Sequence, residues 1–363
     1  MAIDLKTRVV RLEGGQRREQ ADNNATVVLD GGLGPLLARA SFEELFAANY
    51  VAIRKTASSF ARPGVCVVAV DTESKRVAGS VCVASKPDRA NAAIIGRHSM
   101  TDLYLDQDPN LSLRHLALIT HPHTDHISSD LRFRLLDLRT PLSYFDENDR
   151  RLEALVAEGP IFVRCGRYAL FCLITGDVIG WPDDAASGWQ CIPERVYLEE
   201  ADAEPDRWQR RRGRRPGPAG NIGYDEPNKR PTMVQTMNGP ARALLAEGDR
   251  PLGSLTIRTG DGRTQDLQIG EAAAARGVLL GRYDRCDADG ASVLTDENIS
   301  RVHLLIISVE DKLYAVDTAS TNGTWQREPR REIRIAELEP GVELMLGEDL
   351  AYLTWTPGAR IID

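Results

Sequence analysis

Histidines, paired cysteines and long apolar runs are all scarce in this 363-residue chain, and each scarcity excludes something. No stretch reaches the roughly 18 consecutive apolar residues that a membrane-spanning helix requires, so no membrane partner is expected. The first 25 residues alternate charge and polarity and lack the apolar core of a secretory leader. The six cysteines (Cys66, Cys82, Cys165, Cys172, Cys191 and Cys286) form no C-x-x-C pair. They suggest neither a zinc ribbon nor a disulfide framework and read as small core residues of a cytoplasmic protein. With 45 Lys and Arg against 53 Asp and Glu, the net charge of −8 argues against nucleic acid as a partner.

What is present is β-rich. Hydrophobic residues make up 42% of the chain, enough for roughly two globular domains. Residues 1–40 read as a loosely ordered start. Ser41 with Glu44 three residues on spells a capping box, and Phe42, Leu45, Phe46, Tyr50 and Ile53 follow at helical spacing, which predicts one short N-terminal helix. From Gly64 the texture changes to short runs such as "GVCVVAV", "LRHLALIT" and "YALFCLIT", separated by turn residues, as in a sandwich or barrel. Residues 181–250 are rich in Pro, Gly, Asp and Arg and read as a long disordered linker. A second β-rich block occupies 251–358.

The two blocks carry the same landmarks in the same order. "IIGR" ending at Arg97 matches "LLGR" ending at Arg282. Ser112 and His115 match Ser300 and His303, Asp137 matches Asp317, and Gly166 matches Gly347. The second block, with Gly281-Arg282, Ser300-Arg301-Val302-His303 and Ser320-Thr321-Asn322-Gly323, closely resembles the forkhead-associated (FHA) family. The resemblance implies a β-sandwich whose loops at one end bind phosphothreonine peptides. It further implies that Arg282 and Ser300 hold the phosphate, that Arg301 and Thr321 assist, and that Asn322 pairs with the peptide backbone. His303 is expected to brace the loops, and Gly323 to permit their turn. A phosphothreonine brings nearly two negative charges and three acceptor oxygens, which is why a guanidinium, hydroxyls and backbone donors suit it. The first block resembles the family less. Arg97 and Ser112 stand in place as a residual phosphosite, but Leu113 replaces the arginine, Arg114 comes one residue late, and "DLRTPLS" has no Asn-Gly. It reads as a degenerate module for protein contacts, in the 41–180 domain that begins with the helix.

"ITHPHTDHIS" spells an H-x-H-x-D-H pattern with His121, His123, Asp125 and His126, which resembles the metallo-β-lactamase family. Such a zinc hydrolase, in residues 25–180 beside an FHA targeting domain, is the alternative reading. The chain has only six histidines, and none follows His126 except His303, so a dinuclear site would lack ligands. The landmarks also leave block one eight residues longer between His115 and Asp137 than between His303 and Asp317, and the histidines fall in that insertion. It therefore reads as a lengthened hairpin loop, with neither metal nor cofactor expected.

Within the linker, five arginines between Arg210 and Arg215 read as solvated charge. Thr232 and Thr236 are candidate phosphorylation sites that the C-terminal domain could bind in the same chain or in a neighbour. A short tether would favour such self-association through a high effective concentration. The expectation is thus an all-β chain of two FHA-like sandwiches joined by a linker. It would act as a non-enzymatic, cytoplasmic adaptor for a phosphothreonine protein (a kinase or its substrate) in a bacterial Ser/Thr-kinase pathway.

Overall fold

The computed structural model describes residues 39–123, 131–176, 180–199, 231–284, 286 and 293–358, together with the backbone of two short parallel strands, Val10–Leu12 and Val27–Leu29. No helix among the described residues is long and apolar enough to cross a membrane. β-strands are the main regular structure of the described chain, and helices are few.

The helix Phe42–Ser59 starts as its sequence dictates. The Ser41 hydroxyl accepts the Glu44 N–H at 3.1 Å, and the Glu44 carboxylate accepts the Ser41 N–H at 3.0 Å, which satisfies two otherwise orphaned donors. Its apolar stripe of Phe42, Leu45, Phe46, Tyr50 and Ile53 packs on the outer face of a six-stranded sheet, against Phe162 and Phe171. Trp181 and Trp189 cover the same patch.

In that six-stranded sheet Tyr168–Thr175 lies between Ile161–Cys165 and Gly64–Asp71. Across an apolar core lies a seven-stranded sheet that contains Asn91–Gly96, Leu116–Thr120, Phe133–Asp137 and Ala154–Glu158. The second block repeats the arrangement with a six-stranded and a four-stranded sheet around their own core. The four-stranded sheet runs Val278–Leu280, Leu304–Val309, Lys312–Asp317 and Ile335–Glu337. The registers of the two halves coincide at the landmarks. Ile95 faces Leu116, which faces Asp137, and Leu136 faces Ala154. Likewise Leu280 faces Leu304, which faces Asp317, and Val316 faces Ile335.

These matched sheets pack on each other. Ile94, Ala117, Ile119, Leu136 and Leu138 meet Leu279, Leu305, Ile307, Tyr314 and Val316 in one buried cluster. Hydrogen bonds cross at its edges, from Ala90 N–H to the Tyr314 hydroxyl (3.2 Å) and from Lys312 Nζ to the Asp88 carbonyl (3.3 Å).

The span 181–250 departs from the expected disordered linker. Its described parts form a short helix, Ala185–Gln190, and two strands that extend the seven-stranded sheet. Thr232–Met237 pairs antiparallel with Ala154–Glu158 and parallel with Arg195–Leu198. Six residues of β-forming character suffice, because the exposed edge of Ala154–Glu158 offers them backbone partners. The arginine run 210–215 lies outside the described residues. All six cysteines are free, and Cys66, Cys165, Cys172 and Cys286 are buried.

Candidate functional site

Strand register brings three distant segments of the second block to one end of its four-stranded sheet. Leu280, Leu304 and Asp317 lie side by side, so the loops that leave or enter at these residues are neighbours. Gly281 lets two of them close. A Cβ there would stand 2.2 Å from the Arg301 carbonyl oxygen, and its absence allows Arg282 N–H to reach Ser300 O and Tyr283 N–H to reach Arg301 O, both at 3.2 Å. The third loop is set by Asp317. Its carboxylate accepts the Ser320 N–H (2.8 Å), the Ser320 hydroxyl (2.6 Å) and the Thr324 hydroxyl (2.6 Å). This fixes a turn in which Ala319 (φ +61°) and Gly323 (φ +70°) adopt the left-handed conformation. His303 ties the loops together from inside: Nδ1 accepts the Ser300 N–H (3.2 Å), and Nε2–H donates to the Gly323 carbonyl (3.1 Å). Burial lowers its pKa, so the ring is a neutral brace.

Several polar groups of these loops keep unused hydrogen-bonding capacity. The Ser300 side chain accepts the Thr321 N–H at 3.0 Å, yet its own proton has no acceptor among the described residues. Thr321 and Asn322 are exposed. The Asn322 amide donates to the Asn298 carbonyl (2.8 Å), which orients the side chain and leaves its Oδ1 available. The guanidinium groups of Arg282 and Arg301 have no carboxylate within ion-pair distance among the described residues, and Arg282 Nε is buried without a hydrogen-bond partner. Burial lowers the Arg301 pKa, and the neighbouring charges of Arg282 and Arg97 lower it further. Hydroxyl and backbone donors beside two guanidinium groups that no described carboxylate pairs make a site for a compact anion.

The family model for the FHA domain matches residues 278–347, which hold all of these groups. Residues 278–347 are an FHA domain. The FHA domain-containing protein PS1 of Arabidopsis thaliana is 32% identical over 113 residues, which is 30% of this chain. The chain spans 7% of the length of that relative. Among solved structures, the FHA-1 domain of Mycobacterium tuberculosis Rv1747 is 22% identical and covers 30% of this chain and 98% of its own, with a TM-score of 0.23. EmbR of Mycobacterium tuberculosis, in complex with a low-affinity phosphopeptide, is 23% identical. It covers 32% of this chain and 26% of its own, with a TM-score of 0.23.

Beside the FHA loops, the first block shows the same hydrogen-bonded skeleton with different side chains on it. Arg97 N–H bonds Ser112 O (3.0 Å), His98 N–H bonds Leu113 O (3.0 Å), and His115 Nδ1 accepts the Ser112 N–H (3.1 Å). His115 is buried and its pKa is lowered to about 3 by burial, so it too is a neutral brace. Asp137 accepts the Thr140 N–H at 2.6 Å, as Asp317 accepts that of Ser320. The next residue differs in kind. Where Thr321 donates its N–H to Ser300, the first block has Pro141, which has no N–H to give Ser112. Arg97 Nε is itself engaged by the Leu111 carbonyl at 2.9 Å.

The remaining candidates fare differently. His121 is buried, and neither ring nitrogen has a partner. Burial, with Arg134 and Arg132 nearby, drives its pKa well below the ordinary range. Both arginines would also repel a cation. His123 continues the chain after the strand, with its N–H on the Lys86 carbonyl (2.9 Å), while Asp125 and His126 lie outside the described residues. Among the described residues no group of three His, Cys, Asp or Glu side chains could hold a metal ion, and nothing in this geometry supports the zinc-hydrolase alternative. Strands Leu116–Thr120 and Phe133–Asp137 do pair as a hairpin, so the motif sits in their connection.

Thr232 and Thr236 need correcting as flexible linker sites, because both lie in the sheet. Thr232 is 1% exposed, and the Thr236 hydroxyl donates to the Leu198 carbonyl at 3.1 Å. Sequence reasoning passed over one functional candidate, Arg114, whose only signal was its place one residue late in the first block's S-L-R-H. Its side chain leaves the first block and enters the FHA loops.

Proposed function

We propose that the chain is a non-enzymatic adaptor that binds a phosphothreonine-containing protein through its FHA loops. Arg282 and Ser300 hold the phosphate, Arg301 and Thr321 assist, and Asn322 takes the peptide backbone beside it. The observation that carries this reading is the Ser300 hydroxyl. It is fixed as an acceptor of the Thr321 N–H, it has its proton to offer, and it stands in loops with the guanidinium groups of Arg282 and Arg301, which no carboxylate pairs among the described residues. A dianionic phosphate matches that set of donors, whereas a carboxylate side chain brings less charge and fewer acceptors.

The first block is, on this reading, a degenerate copy, which makes the chain a tandem of two FHA-like sandwiches. The coincident registers and the paired braces His115 and His303 support this. Pro141 and the engaged Arg97 support loss of phosphate binding there, which leaves this half to contact protein. The partner is a cytoplasmic Ser/Thr kinase or its substrate, and the chain acts as a scaffold between them.

The test is a titration of peptide pools with a central phosphothreonine, and of their unphosphorylated counterparts, against wild type and Arg282→Ala. Wild type is expected to prefer the phosphorylated pool, and Arg282→Ala to weaken that binding by roughly 10- to 100-fold, the worth of charge-assisted hydrogen bonds of ~1.5–3 kcal/mol. Equal binding of both pools by both proteins discards the reading.

A further inference from the structure

The FHA site contains a charge that its own domain does not supply. Arg114, from the first block, is 8% exposed, and its guanidinium crosses the interface between the two halves. Nε and Nη2 both donate to the Ala319 carbonyl, at 3.0 and 2.7 Å. Nη2 also lies 3.3 Å from the Ser300 hydroxyl and 3.5 Å from the Thr321 hydroxyl. Ala319 can offer its carbonyl this way because its left-handed conformation (φ +61°) belongs to the turn that Asp317 fixes.

All these partners are neutral. No carboxylate lies within ion-pair distance of Arg114 among the described residues, and Nη1 has no hydrogen-bond partner there. Asp317 acts on it only at longer range, while Arg301 opposes its charge. A nearly buried guanidinium that no described carboxylate pairs, with the like charge of Arg301 nearby, is electrostatically incomplete. An anion bonded to the Ser300 hydroxyl would complete it, since Nη2 already stands one hydrogen bond from that oxygen.

We infer that the phosphate site is composite, with Arg114 of the first block as a direct third guanidinium ligand for the phosphate bound at Ser300. This rests on the phosphothreonine reading above and deepens it. The degenerate half then keeps a role in recognition: it lends a charge to its neighbour's site, and the affinity of the FHA domain depends on the packing of the two halves.

Arg114→Gln in the full chain tests this, because glutamine can still donate to the Ala319 carbonyl but carries no charge. The probe is a fluorescein-labelled degenerate peptide pool with a central phosphothreonine, followed by anisotropy at several KCl concentrations. The expected result is roughly tenfold weaker binding and a shallower dependence of log Kd on log salt than in wild type, since one cation–phosphate contact is gone. Binding within twofold of wild type, with the same salt slope, overturns the inference and leaves Arg114 a clasp between halves. Circular dichroism checks folding. If the glutamine variant does not fold, Arg114→Met, which keeps the apolar stem in the interface, is judged by the same criteria. Loss of binding by Arg282→Ala together with wild-type binding by the Arg114 variants sinks this inference alone. A wild type that does not discriminate the phosphorylated pool sinks both it and the functional reading.

Discussion

Ser112 and Ser300 occupy matched positions, yet one residue elsewhere decides what each can do. Thr321 has an N–H that fixes Ser300, whereas Pro141 has none, and this was legible in "RTPLS" as a missing donor as well as a missing Asn-Gly. Asp137 and Asp317 anchor the two turns in the same way, but Asp137 carries a pH dependence of its own. Burial raises its pKa to about 7, against the opposing hydrogen bonds from Thr140. An unfolded aspartate ionises near 4. Below that value both states are protonated and the group has no effect. Between about 4 and about 7 the unfolded chain releases a proton that the folded chain retains, so stability falls as pH rises, and above about 7 the loss is complete. At ~1.4 kcal/mol per pKa unit the total is a few kcal/mol. Asp137→Asn cannot ionise, so it is expected to lose less stability than wild type between pH 5 and pH 8. Urea unfolding of both proteins at the two pH values measures the difference, and equal losses would refute it.

At the scale of elements, periodicity found the capped helix and the strand runs, because each is dictated by neighbours within a few residues. It did not find the strand Thr232–Met237. "TMVQTM" has a period of two, with Thr232 and Val234 facing inward, but its flanks of Lys, Arg, Pro and Gly gave it the appearance of a linker. Its partner strand lies some eighty residues earlier, and only the open edge there makes the segment a strand. The consequence is testable. Thr232→Glu would bury a carboxylate in an apolar environment and is expected to destabilise the fold by roughly 2–4 kcal/mol. Thr236→Glu, whose side chain is half-buried, is expected to cost about 1 kcal/mol or less. Chemical denaturation of the two variants compares them, and a phosphomimetic at Thr232 without cost would return that threonine to the surface.

For the molecule as a whole, the main surprise is that the four-stranded sheet is covered on both faces. In Leu304–Val309, Leu304 and Ile306 face the inner core, while Leu305 and Ile307 face the first block. Leu116–Thr120 behaves alike, with Leu118 inward and Ile119 toward the second block. A strand with one wet face alternates, whereas "HLLIIS" and "HLALIT" run apolar without interruption, so the second layer was written in the sequence as a missing alternation. What could not be read was which surface supplies it, because that depends on two folded halves meeting. Leu305→Glu separates the roles of the two faces. In a lone second block Leu305 would face water, where glutamate is tolerated, but in the packed chain it places an unpaired charge among Leu279, Leu136 and Ile307, at a cost of several kcal/mol. Wild type is expected to melt in one cooperative transition and Leu305→Glu in two, as seen by calorimetry. The same variant should weaken phosphothreonine-peptide binding about as much as Arg114→Gln does, because Arg114 reaches Ser300 only while the halves stay together. A single unchanged transition would mean that the two blocks do not depend on this interface. Two transitions with unchanged peptide affinity would mean that the FHA loops need nothing from across it.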